Sequence, residues 1–427
     1  MPLLSYSVER YRSFVRRSTV TLRPLTLLFG YNSAGKSALL RALPFLAASV
    51  GGGKVGPLAL DAEAARQATY KDVASRFASR NELAFVLTWD DDAHPVHEIE
   101  IRLREEDKAH LVSEFVARDA GGAQILKLVD VPGERGRYTA MMPGGKPSTM
   151  TIPFRDLRPS LAHGQNASKE LRGALADCVE RLGALQASVH WLGAVRATPR
   201  RKDSYRGDPA HLSGTGEESA VKLAYDARKP AGEQKLLDGV SSTLENMFGQ
   251  ILRVRDDGDE FALELEPVRG SPVGISVVDV GEGISQVLPV LLLSAMAAAG
   301  DLGPGAVLAI EQPEMHLHPR AERVLAELFG KVIQSAAQPR LVIETHSENL
   351  LLSVQLLIAT GQIKPEDVSI VWVSALANGE GDLRYVALDE QGRPKDWPAG
   401  VFSEAAAIAR DLFMARRGES TRRRVHG

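Results

Sequence analysis

Two kinds of hydrophobic pattern divide the chain. Near the start, and again from about residue 82 to 142, apolar and polar residues alternate in short runs between Gly, Asp and Pro clusters. This pattern predicts an N-terminal β-hairpin and an antiparallel meander with one buried face. After Gly281, apolar runs such as AVLAIE and RLVIET alternate with longer segments of helical spacing. That alternation predicts parallel strands joined by crossover helices.

The stretch between these regions combines both patterns. Helical spacing over 167–182 and 216–250 predicts helices, and VHWLGAVR and FALELEP predict strands. A further helix is predicted over 287–299, where the most apolar stretch of the chain lies. That stretch contains a proline and is too short to cross a bilayer, so we expect a buried helix there.

The segment GYNSAGKS follows the apolar run LTLLFG and precedes the helical KSALLRALPFLAAS. It matches G-x-x-x-x-G-K-[ST], in which backbone N–H groups and a helix N-terminus cradle phosphate groups. Lys36 can reach the β- and γ-phosphates of ATP, and the hydroxyl of Ser37 can bind Mg²⁺. The predicted nucleotide-binding residues are Gly30, Tyr31, Asn32, Ser33, Ala34, Gly35, Lys36 and Ser37.

Two later strands are predicted to end in reactive side chains. AVLAIEQPE places Glu311 at a strand end, where a Walker B carboxylate would hold magnesium together with Ser37. RLVIETHSE places His346 just after another strand, on the edge of the sheet where ligands bind. A histidine there can donate a hydrogen bond to the γ-phosphate, although the same pattern fits a structural surface histidine.

The segment VGEGISQ, immediately before the predicted apolar helix, offers a second anion site. Gly283, Ser285 and Gln286 could face a phosphate from a helix N-terminus. The same sequence also fits an ordinary helix start with Ser285 as its cap.

Together these motifs resemble the ABC-type ATPases called AAA-family or OLD-like ATP-binding proteins, relatives of chromosome-structuring and DNA-repair ATPases. The resemblance rests on the phosphate loop, G-x-G-x-S-Q, I-E-x-P-E-x-H-L-H-P and E-T-H-S, and is strongest over 1–50 and 275–350. HWLGAVRATPRR and DWPAGVFSE resemble two further segments of that family.

The resemblance implies an α/β P-loop NTPase of ABC-ATPase type, split by an inserted antiparallel β and helical arm. We therefore expect four segments: the first part of the ATPase domain (1–80), the arm (81–270), the second part of the ATPase domain (271–390) and a C-terminal segment with a basic tail (391–427).

The resemblance also implies a composite active site in a head-to-tail dimer, or in a higher even oligomer. Gly283, Ser285 and Gln286 of one chain would face the γ-phosphate held by Lys36 of the other. His346 would act as the switch histidine, and the HLHP run at 316–319 would lie at the dimer seam.

One position departs from the usual pattern of that family. The Walker B strand commonly ends in two acids, of which the second activates water, but here Gln312 holds the second position. An amide cannot accept a proton from water at neutral pH. Either hydrolysis is slow and ATP mainly clamps subunits together, or Glu314 or a partner protein supplies the base.

Composition adds three constraints. The chain of 427 residues is 44% hydrophobic and 25% charged, as in soluble globular proteins. Its only cysteine, Cys178, excludes an intramolecular disulfide and a Cys-based zinc cluster. The start has no apolar core behind a charged cap, so we expect no signal peptide and a cytoplasmic protein without a membrane partner.

Arginines cluster in three places, and two interpretations are open. They could contact DNA or RNA phosphates, or form solvated faces balanced by nearby acids, as the net charge of −3 favours. The clusters are Arg10, Arg12, Arg16 and Arg17; Arg196, Arg200, Arg201 and Arg206; and Arg416, Arg417, Arg422, Arg423 and Arg424.

The resemblance favours an ATPase that switches a separately encoded effector, in defence against phage or mobile DNA. Only about eighty residues follow His346, too few for the Toprim nuclease of some OLD-like relatives, so a nuclease would come from a partner. The alternatives are a DNA-repair or chromosome-maintenance ATPase that itself grips DNA, a transporter ATPase, and an interaction protein that binds ATP without hydrolysing it.

Overall fold

A computed structural model describes residues 3–51, 56–78, 81–91, 93–164, 166–270 and 273–397, together with 411, 412 and 414. The described strands are β1 (Leu3–Glu9), β2 (Ser18–Thr21), β3 (Leu25–Gly30), β4 (Glu82–Trp89), β5 (Glu98–Glu106), β6 (Ala109–Arg118), β7 (Gln124–Asp130), β8 (Arg137–Met141), β9 (Ser148–Thr151), β10 (Val189–Leu192), β11 (Asp203–Ser204), β12 (Gln250–Asp256), β13 (Glu260–Pro267), β14 (Ile275–Ser276), β15 (Val307–Glu311), β16 (Arg340–Glu344), β17 (Val368–Ala375) and β18 (Gly381–Val386). The described α-helices are α1 (Lys36–Gly51), α2 (Tyr70–Val73), α3 (Lys169–Ser188), α4 (Ser219–Ala227), α5 (Lys235–Phe248), α6 (Glu282–Ala299), α7 (Pro319–Ile333) and α8 (Glu348–Ala359). Single-turn 3-10 helices lie at Glu63–Ala65, Val277–Asp279 and Pro365–Asp367.

The alternating runs form one antiparallel sheet. Its strand order is β2-β1-β4-β5-β6-β7-β8-β9, so the predicted hairpin and the predicted meander are both present and belong to the same sheet. Apolar side chains of one face, among them Phe85, Ile101 and Phe115, are fully buried, whereas the other face carries charged residues. The alternation therefore marks a half-buried sheet.

The continuous apolar runs form a second sheet, with the order β10-β15-β16-β3-β17-β18. All its neighbours are parallel except β17 and β18, which pair antiparallel at one edge. Successive side chains of the parallel strands enter two different cores: Leu28 and Val342 pack on one face, and Leu27 and Ile343 on the other. Both faces are thus covered, which explains why these strands are mostly apolar.

The two cores define the layers around the parallel sheet. One core joins the sheet to α1, α3 and the antiparallel sheet, and the other joins it to α4–α8 and to a small sheet of β11, β13, β12 and β14. The predicted α/β P-loop fold is confirmed, because the phosphate loop lies between β3 of a parallel sheet and α1.

Each of the two large sheets contains strands from more than one of the four predicted segments. Strands β1 and β2, from 1–80, share a sheet with β4–β9, and β10, from 81–270, pairs with β15 in the parallel sheet. The arm is thus built into the nucleotide domain through hydrogen bonds on both sides. The segment boundaries stay a prediction.

The apolar helix starts earlier than predicted. Helix α6 begins at Glu282 and not at Val287, with Gly281 as its N-cap, so the idea that Ser285 caps this helix is wrong. An acidic first residue favours a helix N-terminus, and Ile284 and Leu288 continue the buried face one turn further back. Among the described helices, α6 alone has the length and composition of a membrane span, but 61% of it is buried in the fold, as in a core helix.

Candidate nucleotide site

Three parallel strands bring the predicted site residues to one edge of the sheet. Strand β16 lies between β3 and β15, so Gly30, Glu344 and Glu311 end side by side. In the paired register, Glu311 lies opposite Glu344, and Glu344 lies opposite Leu28. The carboxyl ends of parallel strands are where open α/β sheets bind ligands.

Local backbone geometry explains the glycines of the phosphate loop. Gly30 has φ 148° and lies so close to β17 that a β-carbon would meet the carbonyl oxygen of Val373 at 1.9 Å. Gly35 has φ 107°, and a β-carbon there would lie 2.8 Å from Ser13 Oγ. Both positions combine a left-handed backbone with close packing, so only glycine fits them.

The remaining loop residues divide between solvent and core. Tyr31, Asn32 and Ser33 are exposed, whereas Ala34 is buried. The Tyr31 ring meets Trp372 edge-on, with 5.4 Å between ring centroids. The loop thus presents polar side chains and one aromatic ring to the surface.

Lys36 is folded back over its own loop. Its Nζ donates to the carbonyl oxygens of Gly30 at 2.9 Å and Tyr31 at 2.8 Å. Burial lowers the pKa of Lys36, and the nearby Glu344 carboxylate opposes that shift. An ammonium group held only by carbonyl oxygens can exchange them for phosphate oxygens, which are stronger, charged acceptors.

Ser37 bonds to a carboxylate that the sequence motifs did not single out. Its hydroxyl donates to Glu344 Oε1 at 2.7 Å, while Glu344 Oε2 has no hydrogen-bond partner among the described residues. Glu344 is only 3% exposed. Burial, and then the negative charge of Glu311, raise the pKa of Glu344.

Glu311, the predicted Walker B acid, is held by other partners. Arg41 donates through Nε to Oε1 at 2.6 Å and through Nη2 to Oε2. Trp191 Nε1 donates to Oε1 at 3.0 Å, and its indole also lies 5.9 Å from the Arg41 guanidinium carbon. Glu311 and Arg41 are both buried, so they form a bidentate pair inside the protein.

The residues after β15 turn sharply towards His346. Gln312 has φ 41°, and its N–H donates to the Glu344 carbonyl at 2.7 Å. Glu314 Oε1 accepts from Thr345 Oγ1 at 2.7 Å and from the His346 N–H at 3.0 Å, while its Oε2 has no partner among the described residues. Burial raises the pKa of Glu314. A carboxyl with a raised pKa and a free oxygen has the properties of a general base.

His346 lies where the sequence predicted it, directly after β16. Its backbone is fixed by Glu314, and its side chain is exposed on the surface. Partial burial and the positive charge of Lys36 lower its pKa. The neutral imidazole favoured at pH 7 can donate one hydrogen bond and accept another.

The predicted signature residues lie in the first turns of α6. A β-carbon on Gly283 would lie 2.6 Å from the carbonyl oxygen of His316, so α6 touches the HLHP run directly. Ser285 is buried. Gln286 is bonded internally, since its amide accepts from the Arg196 N–H at 3.1 Å and donates to the Arg196 carbonyl at 3.0 Å. Of the three residues, Gly283 and Gln286 are half-buried and Ser285 is buried in this structure.

Arg196 connects α6 to the end of β15. Its guanidinium donates to the carbonyl oxygens of Gln286 and Gln312, at 3.2 and 3.4 Å, and to that of Glu311. Burial lowers its pKa to about 10. Because Arg196 is only 3% exposed, it cannot contact DNA or RNA from this position, and its assignment to a basic surface cluster is wrong.

Most other arginines of the first two clusters are paired with acids. Arg10 pairs with Glu82 at 3.1 Å, Arg17 with Glu100 at 2.7 Å, and Arg201 with Asp279 at 2.5 Å. Arg200 and Arg206 share Asp203. This pairing fits the solvated, balanced interpretation. The tail arginines Arg416, Arg417, Arg422, Arg423 and Arg424 lie outside the described residues, as does most of the DWPAGVFSE segment.

Sequence reasoning missed four contributors to the site: Glu344, Arg41, Trp191 and Arg196. Trp191 carried no predicted role in the site, yet its indole N–H bonds to Glu311. A signal for Glu344 was present, because an acid that ends a buried strand next to a predicted ligand strand is unusual. Arg41, one turn into the helix after the phosphate loop, carried a weaker signal as a charged residue inside an apolar helix.

Comparison with known proteins supports the nucleotide assignment. The family described as AAA ATPase domain matches residues 226–351, a range that includes Gly283, Glu311 and His346. None of the curated proteins compared with this chain matches it.

Among solved structures, three heads of Smc proteins are similar at low identity. An Smc head bound to the C-terminal winged-helix domain of ScpA has 11% identity and a TM-score of 0.49, covering 91% of this chain and 99% of that one. The SMC head domain from Thermotoga maritima has 13% identity and a TM-score of 0.43, with 91% and 100% coverage. An Smc head with an extended coiled coil, bound to the C-terminal domain of ScpA derived from Pyrococcus furiosus, has 11% identity and a TM-score of 0.48, with 96% and 99% coverage. The predicted resemblance to P-loop ATPases agrees with the AAA ATPase domain match, and the OLD-like subtype stays a prediction.

Proposed function

We propose that this chain binds ATP with Mg²⁺ and hydrolyses it slowly, acting as a nucleotide-dependent dimer of the ABC type. The observation that carries the proposal is the meeting of Lys36 and Ser37 with Glu311, Glu344 and His346 at one edge of the parallel sheet. A phosphate cradle with a lysine and oxygen ligands for a metal are groups that phosphoryl transfer uses, and His346 adds a hydrogen-bond donor beside them.

The residues present suit a magnesium ion that arrives with a nucleotide. Among the described residues, no group of three or more His, Cys, Asp or Glu side chains could hold a metal by itself. Mg²⁺ does not need three protein side chains, because it keeps several waters and binds one or two carboxylates together with substrate phosphates. Ser37, with a carboxylate from one of the two adjacent strand ends, Glu311 or Glu344, would hold it. The bound ion would neutralise charge that develops on the phosphate oxygens.

Slow hydrolysis is supported by Gln312, which cannot take a proton from water. Glu314 is our candidate for the base, because one of its oxygens has no partner among the described residues and the other is bonded to Thr345 and the His346 N–H. In this proposal Glu314 accepts the proton of the attacking water, and His346 bonds to the γ-phosphate and responds to its loss.

Dimerisation is supported by the joint surface of α6 and the HLHP run. Gly283 touches His316, whose side chain is exposed and lies 3.8 Å from Glu282. In this proposal that surface faces the phosphate loop of a second copy. The dimer would switch a separately encoded effector protein in the cytoplasm, in defence against phage or mobile DNA.

The test measures ATP turnover and mass in solution for the wild type and for Lys36→Ala, with and without DNA. We expect slow turnover and an ATP-driven dimer, both lost in Lys36→Ala because the phosphates lose their cation. A mass that is unchanged by ATP would refute the dimer. Strong stimulation by DNA would favour the repair or chromosome-maintenance alternative, whereas no stimulation would favour a protein effector.

A further inference from the structure

Glu344 has a free, buried oxygen beside the phosphate loop. Its side chain reaches Ser37 through Oε1, while Oε2 is buried and has no hydrogen-bond partner in the described part of the chain. Burying a carboxylate oxygen without a partner costs free energy. The other oxygen of this carboxylate, Oε1, lies 2.7 Å from Ser37 Oγ, a predicted magnesium ligand. The unpartnered Oε2 therefore indicates a ligand that completes the site.

Glu311, in contrast, has no unpartnered oxygen that could bind a cation. Its two oxygens accept hydrogen bonds from Arg41 and Trp191, and the Arg41 guanidinium compensates its charge. A cation at Glu311 would have to displace, or lie beside, a buried positive charge. Coulomb repulsion between the two cations opposes that arrangement.

Glu344 is less well compensated. The ammonium of Lys36 donates to the Gly30 and Tyr31 carbonyls, and no cationic side chain within the described ranges makes a hydrogen bond to Glu344. The negative charge of Glu311 lies across the adjacent strand. A divalent cation next to Glu344 would relieve both the unpaired charge and the repulsion between the two carboxylates.

We propose that Glu344 and Ser37 together take the magnesium ion, and that Glu311 instead anchors Arg41 and Trp191 behind them. This inference rests on the proposed function, since the ion would arrive with the nucleotide. The observed hydrogen bond is compatible with this role. A serine hydroxyl that binds a metal uses an oxygen lone pair, so the Ser37 O–H can still donate to Glu344 Oε1 while Oε2 faces the ion or one of its waters.

The test compares nucleotide affinity with and without the metal. Dissociation constants for a non-hydrolysable ATP analogue are measured by calorimetry in Mg²⁺ and in EDTA, and Mn²⁺ binding to the same complexes is followed by electron paramagnetic resonance. The variants are Glu344→Gln, Glu344→Asp and Glu100→Gln. Glu100 is a matched control because it is equally buried but belongs to the antiparallel sheet.

We expect Glu344→Gln to weaken the metal-dependent part of the affinity by about 10- to 100-fold and to leave the affinity in EDTA close to that of the wild type. The Mn²⁺ signal of the complex should fall in parallel. Glu100→Gln should match the wild type in both measurements. If circular dichroism shows that Glu344→Gln does not fold, Glu344→Asp is used to test the inference instead. It keeps the negative charge but moves the carboxylate oxygens, so it should weaken the dependence of nucleotide affinity on the metal.

Two results would overturn the inference in distinguishable ways. A Glu344 variant that folds and keeps the wild-type response to Mg²⁺ and Mn²⁺ overturns the role of Glu344 alone. A wild-type protein that binds no ATP analogue under any condition overturns the proposed function, and this inference with it.

Discussion

Single residues in this site are arranged around three carboxyl groups with different surroundings, of which Glu311 and Glu344 are buried and Glu314 is half-buried. Glu311 is paired with Arg41, Glu344 is bonded to Ser37, and Glu314 is tied to Thr345 and the His346 N–H. Surroundings of this kind separate the tasks of otherwise similar acids. Two of the three, Glu344 and Glu314, have pKa values raised by burial.

The raised pKa of Glu314 makes protein stability depend on pH. Folding strengthens proton binding by this group, so its favourable contribution is present below the unfolded-state pKa and is lost as pH rises through the folded-state pKa. We expect Glu314→Gln to melt at a higher temperature than the wild type at pH 8, with the difference shrinking as pH falls towards 4. Thermal melts across that range measure it.

The exposed Glu366 serves as the control for this prediction, since Glu366→Gln should give no pH-dependent difference. Turnover gives an independent reading: if Glu314 is the base, Glu314→Gln should lower it by about 10²- to 10⁴-fold. Equal melting curves for wild type and variant at every pH would contradict the stability argument, and unchanged turnover would exclude Glu314 as the base.

At the scale of elements, the site depends on how helix α6 is attached to its neighbours. Gly283 touches the HLHP run, and Arg196 joins the helix to the end of β15. These contacts are made by backbone atoms and by one buried guanidinium. They therefore hold α6 as a single unit with the turn that follows the predicted Walker B acid Glu311, which is called the Walker B turn below.

The contact at Gly283 can be tested with two neighbouring glycines. Gly283→Ala would place a methyl group 2.6 Å from the His316 carbonyl oxygen, whereas nothing lies within 4 Å of a β-carbon on Gly281. We expect Gly283→Ala to shift the HLHP run and to abolish the ATP-driven dimer, while Gly281→Ala dimerises normally. Light scattering with and without ATP distinguishes the two. Normal dimerisation of Gly283→Ala would show that this surface is not at the dimer seam.

The hydrogen bonds of Arg196 predict that this residue contributes to the free energy of unfolding. Removing its side chain leaves buried carbonyl oxygens without donors, so we expect Arg196→Ala to lower the free energy of unfolding by about 3 kcal/mol. Arg200→Ala is the control: Arg200 is 68% exposed in a long ion pair, and its loss should cost less than about 1 kcal/mol. Urea denaturation measures both values. An equal loss of unfolding free energy in the two variants would show that the hydrogen bonds of Arg196 do not stabilise the fold.

At the scale of the whole molecule, the antiparallel and parallel sheets are joined near their edges as well as through the core. Tyr385 on β18 donates to the Thr19 carbonyl on β2 and accepts from the Thr21 N–H, both at 2.8 Å. The Gly381 N–H donates to the Ser13 carbonyl, also at 2.8 Å. Residues about 365 positions apart in the chain therefore hold the two sheets in one arrangement.

Tyr385→Phe tests this junction. The phenyl ring keeps the packing but loses both hydrogen bonds, so we expect the free energy of unfolding to fall by about 1 kcal/mol. Hydrogen exchange should also become faster at Thr21, whose amide loses its acceptor. Unchanged exchange at Thr21 would show that the bond is not formed in solution.

The sequence alone determined the elements and the order of the motifs. Alternating runs predicted the antiparallel sheet, continuous apolar runs predicted the parallel sheet, and GYNSAGKS predicted the loop between β3 and α1. These features are local: they depend on side-chain periodicity and on glycines at strained backbone positions, both of which can be read along the chain.

The tertiary structure decided which side chains meet. Glu344 reaches Ser37 because β16 lies between β3 and β15, and Arg41 and Trp191 reach Glu311 from α1 and β10. The partners in these contacts lie 120 (Trp191 and Glu311), 270 (Arg41 and Glu311) and 307 (Ser37 and Glu344) residues apart. Periodicity carries no information on such pairings, because strand order is set by how the layers bury their apolar faces together. The same reason explains why Arg196, read from sequence as a surface cation, lies buried against the Walker B turn.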